Sequence, residues 1–166
     1  MTFFIRTAGE RDLQAVSELL RETWHATYDA IYGPARVAEI TASWHSLEAL
    51  RPRLSRPNSE FVVADDGARL GAMAFAAAGA DRKVVVLHQL YVHPEHQRQG
   101  LGTELLSEIE GAFPEAERLR LEVEAANTTA VAFYRAHGFE PVGRTESCGG
   151  DTVQAIPADI YEKRLG

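Results

Sequence analysis

Cysteine is almost absent from this chain of 166 residues, because Cys148 is the only one. A single cysteine excludes an internal disulfide and any paired-cysteine metal or redox site, and it is typical of a reducing cytoplasm, where we expect the protein to act. Long apolar runs are missing too, since no stretch approaches the roughly 18 residues of a membrane helix. The apolar run between Met1 and Arg6 is too short for a signal peptide. We therefore expect no association with a membrane.

Basic residues are also scarce, with 17 Lys and Arg against 24 Asp and Glu and a formal net charge of −7. Holding nucleic acid by its phosphates needs dense Lys and Arg, so we expect no nucleic-acid partner, although a local basic patch still fits one small anion. Apolar residues make up 45% and charged residues 25%, values that exclude a disordered chain. The length predicts a single domain covering residues 1–166.

Two helices are predicted near the N-terminus by apolar residues at helical spacing. They cover Glu10–Ala26 and Ala35–Ile40, and Gly33-Pro34 separates them because proline fits only the first turn of a helix. Ser46 is a weak N-cap for another short helix, since the Glu or Gln of a capping box is replaced by Ala49.

Strands dominate the middle of the chain. The longest β-rich run, Val84–Val92, is apolar on both faces and predicts a central strand, and Asp65-Asp66-Gly67 predicts a hairpin before it. The full predicted order is β-α-α-β-β-β-α-β-α-β-β. This is a mixed α/β pattern, in which the hairpins demand antiparallel pairs and the strand–helix–strand units permit right-handed parallel crossovers.

A loop with two glycines, Gln97-Arg98-Gln99-Gly100-Leu101-Gly102, joins the central strand to a predicted helix. The first N–H groups of a helix lack partners and carry partial positive charge, and glycines let an anion approach the backbone. The loop therefore predicts a cradle for pyrophosphate. It matches neither a Walker A loop nor a dinucleotide-binding fingerprint. The alternative is a solvated helix start with glycines for packing.

A second constellation lies further along, where residues 126–140 read Ala-Asn-Thr-Thr-Ala-Val-Ala-Phe-Tyr-Arg-Ala-His-Gly-Phe-Glu after a strand. Asn127 is a natural N-cap, and Gly138 ends the predicted helix. Tyr134 lies about two turns from Asn127. Its hydroxyl either completes ordinary core packing or faces a reacting atom as a proton donor.

Together the two segments resemble the GNAT superfamily of acetyl-CoA-dependent N-acetyltransferases. Leu90 to Glu95 with the glycine loop is similar to the family's central strand and (R/Q)xxGxG/A loop, and the segment from Asn127 to Phe139 is similar to its second motif. The resemblance is strong from about Val84 to Val142. It implies an α/β (α+β) fold with a mixed, mostly antiparallel sheet of about six to seven strands, about four flanking helices and a splayed parallel strand pair that binds the cofactor.

The resemblance also implies roles for individual residues. Asn127 would contact the pantetheine arm, and Tyr134 would donate a proton to the departing thiolate. The amine would attack the thioester directly, so Cys148 is not expected to be a nucleophile. The implied backbone contacts to acetyl-CoA, the co-substrate, come from the central strand and the loop: Leu90, Tyr91, Val92, Gln97, Arg98, Gln99, Gly100, Leu101, Gly102 and Thr103.

The general base is less defined by the sequence. Many family members carry a glutamate near the position of Val86, which cannot accept a proton. His88 is two residues further on the same nominal strand face and titrates near neutral pH, although a bulge would change the face it uses. Water that relays the proton to Glu122 or Glu124 is an equal alternative.

Candidate acceptor residues come from the first helix. Trp24 and Tyr28 lie four residues apart and share a helix face, so they predict either core packing or an aromatic wall that contacts the acceptor amine. His93 and His96 flank Pro94 without an evident third ligand, and we expect no metal site there.

The function expected from this reading is transfer of an acetyl group to a primary amine, more often a small molecule than a peptide. Protein N-terminal or lysine acetylation is the second enzymatic alternative. An acyl-CoA-binding sensor without efficient proton removal is the non-enzymatic one, favoured by Val86. The resemblance permits a homodimer.

Overall fold

The computed structural model describes residues 2–147 and 156–165. Within them, one seven-stranded sheet has the order β1-β2-β3-β4-β5-β7-β6, and every neighbouring pair is antiparallel except β4 with β5. The strands are β1 (Phe4–Thr7), β2 (Ser59–Asp65), β3 (Leu70–Ala78), β4 (Val84–Val92), β5 (Arg118–Val123), β6 (Glu140–Thr145) and β7 (Ala158–Arg164).

Five α-helices flank this sheet within the same residues. They are α1 (Leu13–Tyr32), α2 (Pro34–Trp44), α3 (Leu47–Leu50), α4 (Leu101–Ala112) and α5 (Thr128–Ala136). Short 3₁₀ turns cover Glu10–Asp12, Arg51–Leu54 and Pro94–His96. No helix of the described chain is long and apolar enough to cross a membrane. The predicted mixed sheet with a parallel pair is confirmed.

The helical segment before β2 is longer than predicted. The first helix continues past Ala26 to Tyr32, and Gly33 stops it with φ 86° before Pro34 starts the next one. The short third helix also forms, because Ser46 Oγ accepts a hydrogen bond from the Ala49 backbone N–H at 3.1 Å. A serine cap is therefore sufficient here without the missing capping-box partner.

Two cores cover the two faces of the sheet. On one face, the apolar stripe of α4, including Leu105 and Ile109, packs in one cluster with Ala74 and Leu87. On the other face, α1 packs on a cluster that includes Phe75. Because both faces of the central strands are covered, β3 and β4 form the rigid floor that positions the loops at their ends.

The parallel pair, β4 with β5, opens part-way along its length. Its ladder joins Val84 to Arg118, Val85 to Leu119 and Val86 to Arg120, and then stops. Both strands nevertheless continue, β4 to Val92 and β5 to Val123. Beyond Val86 the two strands therefore diverge, and the edge of β4 that faces β5 loses its strand neighbour.

A β-bulge lies at the point where the strands diverge. Phe75 of β3 pairs with Gln89, but the next residue, Ala76, pairs with Leu87. His88 is thus the extra residue of the bulge. Its ring lies 5.7 Å from that of Phe75, so His88 and Gln89 both point to the α1 side of the sheet.

Candidate active site

A cleft of about 1240 Å³ opens where β4 and β5 diverge. One wall is the second half of β4 and the facing wall is the end of β5, from Leu121 to Glu124. The loop before α4 closes one end, and α1 with α2 closes the other. The backbone of β4 beyond Val86 has no ladder partner on β5, and such a strand edge accepts an extended chain as a substitute strand.

The loop before α4 has the backbone that the glycine pattern predicts. Gly100 is left-handed, with φ 87°, and a Cβ there would meet nothing within 4 Å. Arg98 is also left-handed, with φ 64°. Arg98, Gly100 and the first residues of α4 line the cleft, and the start of a helix suits an anion. All the predicted cofactor-contacting residues line the cleft except Gln99, whose exposed side chain lies outside it.

Glycine is favoured at position 102 for a different reason than at position 100. A Cβ at Gly102 would lie 3.1 Å from Cε1 and Cζ of Phe133 on α5. Thr103 reinforces this contact, since its hydroxyl is hydrogen-bonded to His137 Nε2 at 3.0 Å. The packing interpretation thus holds for Gly102, while the left-handed turn explains Gly100.

Helix α5 brings Asn127 and Tyr134 to the cleft. Asn127 Oδ1 accepts from the Ala130 backbone N–H at 3.2 Å, as predicted for an N-cap, and Asn127 Nδ2 donates to the Tyr28 hydroxyl at 3.3 Å. Tyr134 is buried against Phe133 and Phe139. Burial raises the pKa of Tyr134 above its usual value, so the hydroxyl keeps its proton at neutral pH.

Comparison with known proteins agrees with this geometry. The sequence profile of the acetyltransferase (GNAT) family matches residues 13–139. The chain belongs to this family. Its GNAT match runs from the start of α1 to the end of α5, and so includes both the glycine loop and the segment of Tyr134.

Two relatives of this GNAT protein carry functional names. The spermidine N(1)-acetyltransferase of Thermoplasma acidophilum is 29% identical over 144 residues, which cover 84% of this chain and 89% of the relative. The N-alpha-acetyltransferase RimI of Mycobacterium tuberculosis is 33% identical over 101 residues, which cover 57% of this chain and 61% of the relative.

Solved structures show the same fold. The PaiA N-acetyltransferase of Thermoplasma acidophilum, in complex with coenzyme A, superposes with a TM-score of 0.87 at 25% identity over 99% of this chain and 100% of that chain. The ribosomal-protein-S18-alanine N-acetyltransferase of Escherichia coli gives a TM-score of 0.73 at 19% identity over 99% of this chain and 95% of that chain.

His88 and Glu122 face each other across the opening of the GNAT cleft. Each lies two residues beyond the last β4–β5 pair, Val86 with Arg120. His88 is open to solvent on its cleft side, while the protein packed around the rest of its ring, and then Arg56, lower its pKa to about 4. The ring is therefore neutral at neutral pH. It can accept a proton, but only weakly.

Glu124, the residue directly after β5, brings a second carboxylate to the cleft, where a residue of α1 contacts it. The Tyr32 hydroxyl donates a hydrogen bond to Glu124 Oε2. Burial and this carboxylate raise the pKa of Tyr32 above its usual value, so the phenol remains a donor. The extension of α1 beyond its predicted end places Tyr32 here.

The two predicted acceptor residues belong mainly to an aromatic core. Trp24 and Tyr28 are 5% and 6% exposed, with ring centroids 4.4 Å apart, and Trp24 also contacts Trp44 and His45. Both residues nevertheless line the cleft. The packing interpretation is confirmed, and contact with the acceptor stays a prediction, which the position of both residues in the cleft lining allows.

A polar network that sequence patterns did not reveal lies below the cleft. Arg53 donates to Gln89 Oε1, and Gln89 Nε2 lies 3.3 Å from His45 Nδ1. Burial, and then the charge of Arg53, lower the pKa of His45 to about 3, so its ring is neutral. The signal in the sequence was Gln89, a polar residue inside the apolar run of the central strand.

Both ring nitrogens of His93 have a partner in the structure. Its Nε2 lies 2.6 Å from Glu22 Oε2, and its Nδ1 accepts from the Glu95 backbone N–H at 3.1 Å. No group of three or more metal-ligating side chains occurs in the described ranges. Cys148 lies outside those ranges, so its predicted inertness stays a prediction.

The buried His45 makes stability depend on pH. Its folded-state pKa lies below the unfolded value, so the unfolded chain binds more protons between about pH 6.5 and pH 3. The free energy of unfolding is therefore unaffected by protonation of His45 above that window, and it decreases as the pH is lowered through it. Asparagine cannot titrate. Between pH 7 and about pH 4.5 we therefore expect the free energy of unfolding of His45→Asn to fall by about 2 kcal/mol less than that of wild type.

Urea unfolding of both proteins at the two pH values measures this difference. Carboxylates titrate in both proteins, so subtracting the two pH dependences isolates His45. An equal loss of stability in wild type and variant would show that His45 is protonated in the folded protein.

Proposed function

We propose that this GNAT acetyltransferase transfers the acetyl group of acetyl-CoA to a primary amine of a small molecule. The observation that carries the proposal is the divergence of β4 from β5 after Val86, which leaves an open strand edge leading to the left-handed turn at Gly100. The edge suits the amide-bearing pantetheine arm, and the start of α4 suits the pyrophosphate. Acetyl-CoA supplies an activated acyl group as a thioester.

Residues of the chain then stabilise the oxyanion, protonate the leaving thiolate and take the proton of the attacking amine. Backbone N–H groups near Leu90 and Tyr91 stabilise the oxyanion that forms when the amine attacks. Tyr134 donates its proton to the departing thiolate. The amine loses its proton to His88 or, through water, to Glu122 or Glu124. Attack is direct, so no acyl-enzyme forms.

A protein amine is the second candidate acceptor. It is favoured by the 33% identity to a relative named as an N-alpha-acetyltransferase. A small molecule ranks first because the relative matched over most of this chain is named for spermidine. We place the reaction in the cytoplasm, in keeping with the single cysteine, and the protein as a monomer or homodimer.

The test is a calorimetric titration with acetyl-CoA followed by a thiol-release assay with a panel of small amines and N-terminal peptides. We expect acetyl-CoA to bind with a Kd in the micromolar range, roughly that of enzyme substrates, and thiol release to require an amine. A folded protein that fails to bind acetyl-CoA would overturn the proposal. Binding without release from any amine would instead support the acyl-CoA sensor.

A further inference from the structure

Arg53 carries a positive charge to the cleft without a matching carboxylate. It lies in the 3₁₀ turn Arg51–Leu54, and its side chain is half-buried in the cleft wall. The guanidinium donates to Gln89 Oε1 and lies 5.6 Å from the centre of the Phe75 ring. No carboxylate within residues 2–147 and 156–165 forms an ion pair with it. A guanidinium has five N–H donors, so one amide oxygen leaves most of them available.

A second positive group lies near the same ring. Arg56 lies 6.0 Å from the centre of the Phe75 ring, and the neutral His88 ring, 5.7 Å away, adds no charge there. Arg56 and Arg53 both lower the pKa of His88, and burial lowers the pKa of Arg53 itself. A chain with a net charge of −7 therefore holds an unbalanced positive region at one wall of its cleft.

The neighbouring polar atoms are donors as well. Arginine can only donate, so the oxygen of Gln89 faces Arg53 and its amide N–H₂ faces His45 Nδ1. The neutral His45 ring then carries its proton on Nε2. His45 Nε2 and Trp24 Nε1 are both buried without a hydrogen-bond partner among the residues that the structure describes. The described residues thus supply no acceptor for these two buried N–H groups, and Arg53, whose side chain lines the cleft, is the donor that a ligand can reach.

Carboxylates occupy the other side of the opening. Glu122 lies level with His88 across the gap, and Glu124 lies directly after the end of the same strand. An ammonium group is favoured at the Glu side and an anion at the Arg side. A polyamine would bring a second ammonium toward Arg53 and Arg56, where like charges repel.

We propose that the acceptor is a primary amine that also carries an anionic oxygen group, a carboxylate or a phosphate monoester, and that Arg53 binds this group. The inference rests on the proposed acetyl transfer and narrows its substrate class. Arg53 is thereby a specificity-determining residue at the end of the acceptor site opposite Glu122 and Glu124. The fork of its guanidinium matches two oxygens of either anion.

Matched amines test the proposal. They are 4-aminobutanoate against butylamine and phosphoethanolamine against ethanolamine, with spermidine as a third class. We expect wild type to prefer the anionic member of a pair by at least about tenfold in kcat/KM, mostly through KM. Arg53→Met is expected to lower that preference about 10- to 100-fold. Arg53→Lys restores part of it, because the charge returns without the fork.

Arg51→Met is the matched control. Arg51 precedes the cleft residue by two positions, pairs with Glu10 at 2.8 Å and lies outside the cleft lining. It is expected to retain the wild-type preference. Spermidine or butylamine used as well as 4-aminobutanoate and phosphoethanolamine would overturn the proposal, as would Arg53→Met slowing both members of a pair equally.

A binding measurement separates this inference from the proposed transfer. N-acetyl-4-aminobutanoate and N-butylacetamide are titrated into the protein saturated with CoA. Tighter binding of the anionic compound, lost in Arg53→Met, supports the anion site even if no amine is acetylated. Equal binding of the two compounds by an active enzyme leaves acetyl transfer intact and rejects the anion site.

Discussion

Replacing Tyr134 with phenylalanine is expected to lower kcat about 100-fold or more, while the affinity for acetyl-CoA changes less than about twofold. Tyr134 lines the cleft near the end of α5, and burial raises its pKa, so its hydroxyl keeps the proton that we propose it donates to the departing thiolate. Phenylalanine keeps the ring and its contacts with Phe133 and Phe139. Because only the hydroxyl is removed, we expect kcat to decrease while the affinity for acetyl-CoA is retained.

Tyr161→Phe is the matched control for this variant. Tyr161 is also a buried tyrosine, 4% exposed, but it lies on β7 outside the cleft lining. Losing its hydroxyl leaves kcat near that of wild type. Thiol-release kinetics at saturating acetyl-CoA, together with calorimetric binding, measure both quantities. A Tyr134→Phe enzyme within about threefold of wild type in kcat would show that another group, or water, supplies the proton.

The strands of the sheet were predictable because their signals are local. β4 begins and ends at the residues expected from its apolar run, Val84–Val92, and the hairpin predicted at Asp65-Asp66-Gly67 joins β2 to β3. The α4 and α5 starts were equally local, since Gly100 and Asn127 determine the backbone around them. Where a boundary depends on neighbours in sequence, one chain contains enough information to locate it.

The length of α1 and the geometry of the bulge depend on distant residues. Tyr32 ends α1 where it meets Glu124, 92 positions away in the sequence. His88 becomes the extra residue of the bulge only through the register of β3 against β4. No local pattern specifies either contact, although the sequence did raise a bulge as one alternative.

The polar network of the cleft could not be predicted from the sequence. Arg53, His45 and Gln89 come from three different elements, a 3₁₀ turn, a helix end and a strand. Each is ordinary in its own segment, and only the tertiary structure joins them into one network. The motif residues could be found because each of the two motifs lies in one contiguous segment.

Gly100→Glu is expected to weaken acetyl-CoA binding about 100-fold or more. The new carboxylate stands at the start of α4, where the pyrophosphate is proposed to bind, and like charges at a binding surface cost several kcal/mol. The residue has φ 87° with open space around it. A side chain there adds a left-handed strain of about 1–2 kcal/mol to the folded protein without a steric clash.

Gly67→Glu is the control that distinguishes the effect of the new charge at the site from the effect of the left-handed strain. Gly67 has φ 95°, a Cβ there would meet nothing within 4 Å, and the residue lies in the β2–β3 hairpin, away from the cleft. The two variants add the same side chain to the same type of backbone, so they should lose similar stability in urea. They should differ in calorimetric affinity for acetyl-CoA, because only Gly100→Glu places the charge beside the phosphates. Equal affinities of the two variants for acetyl-CoA would show that the pyrophosphate does not bind at the start of α4.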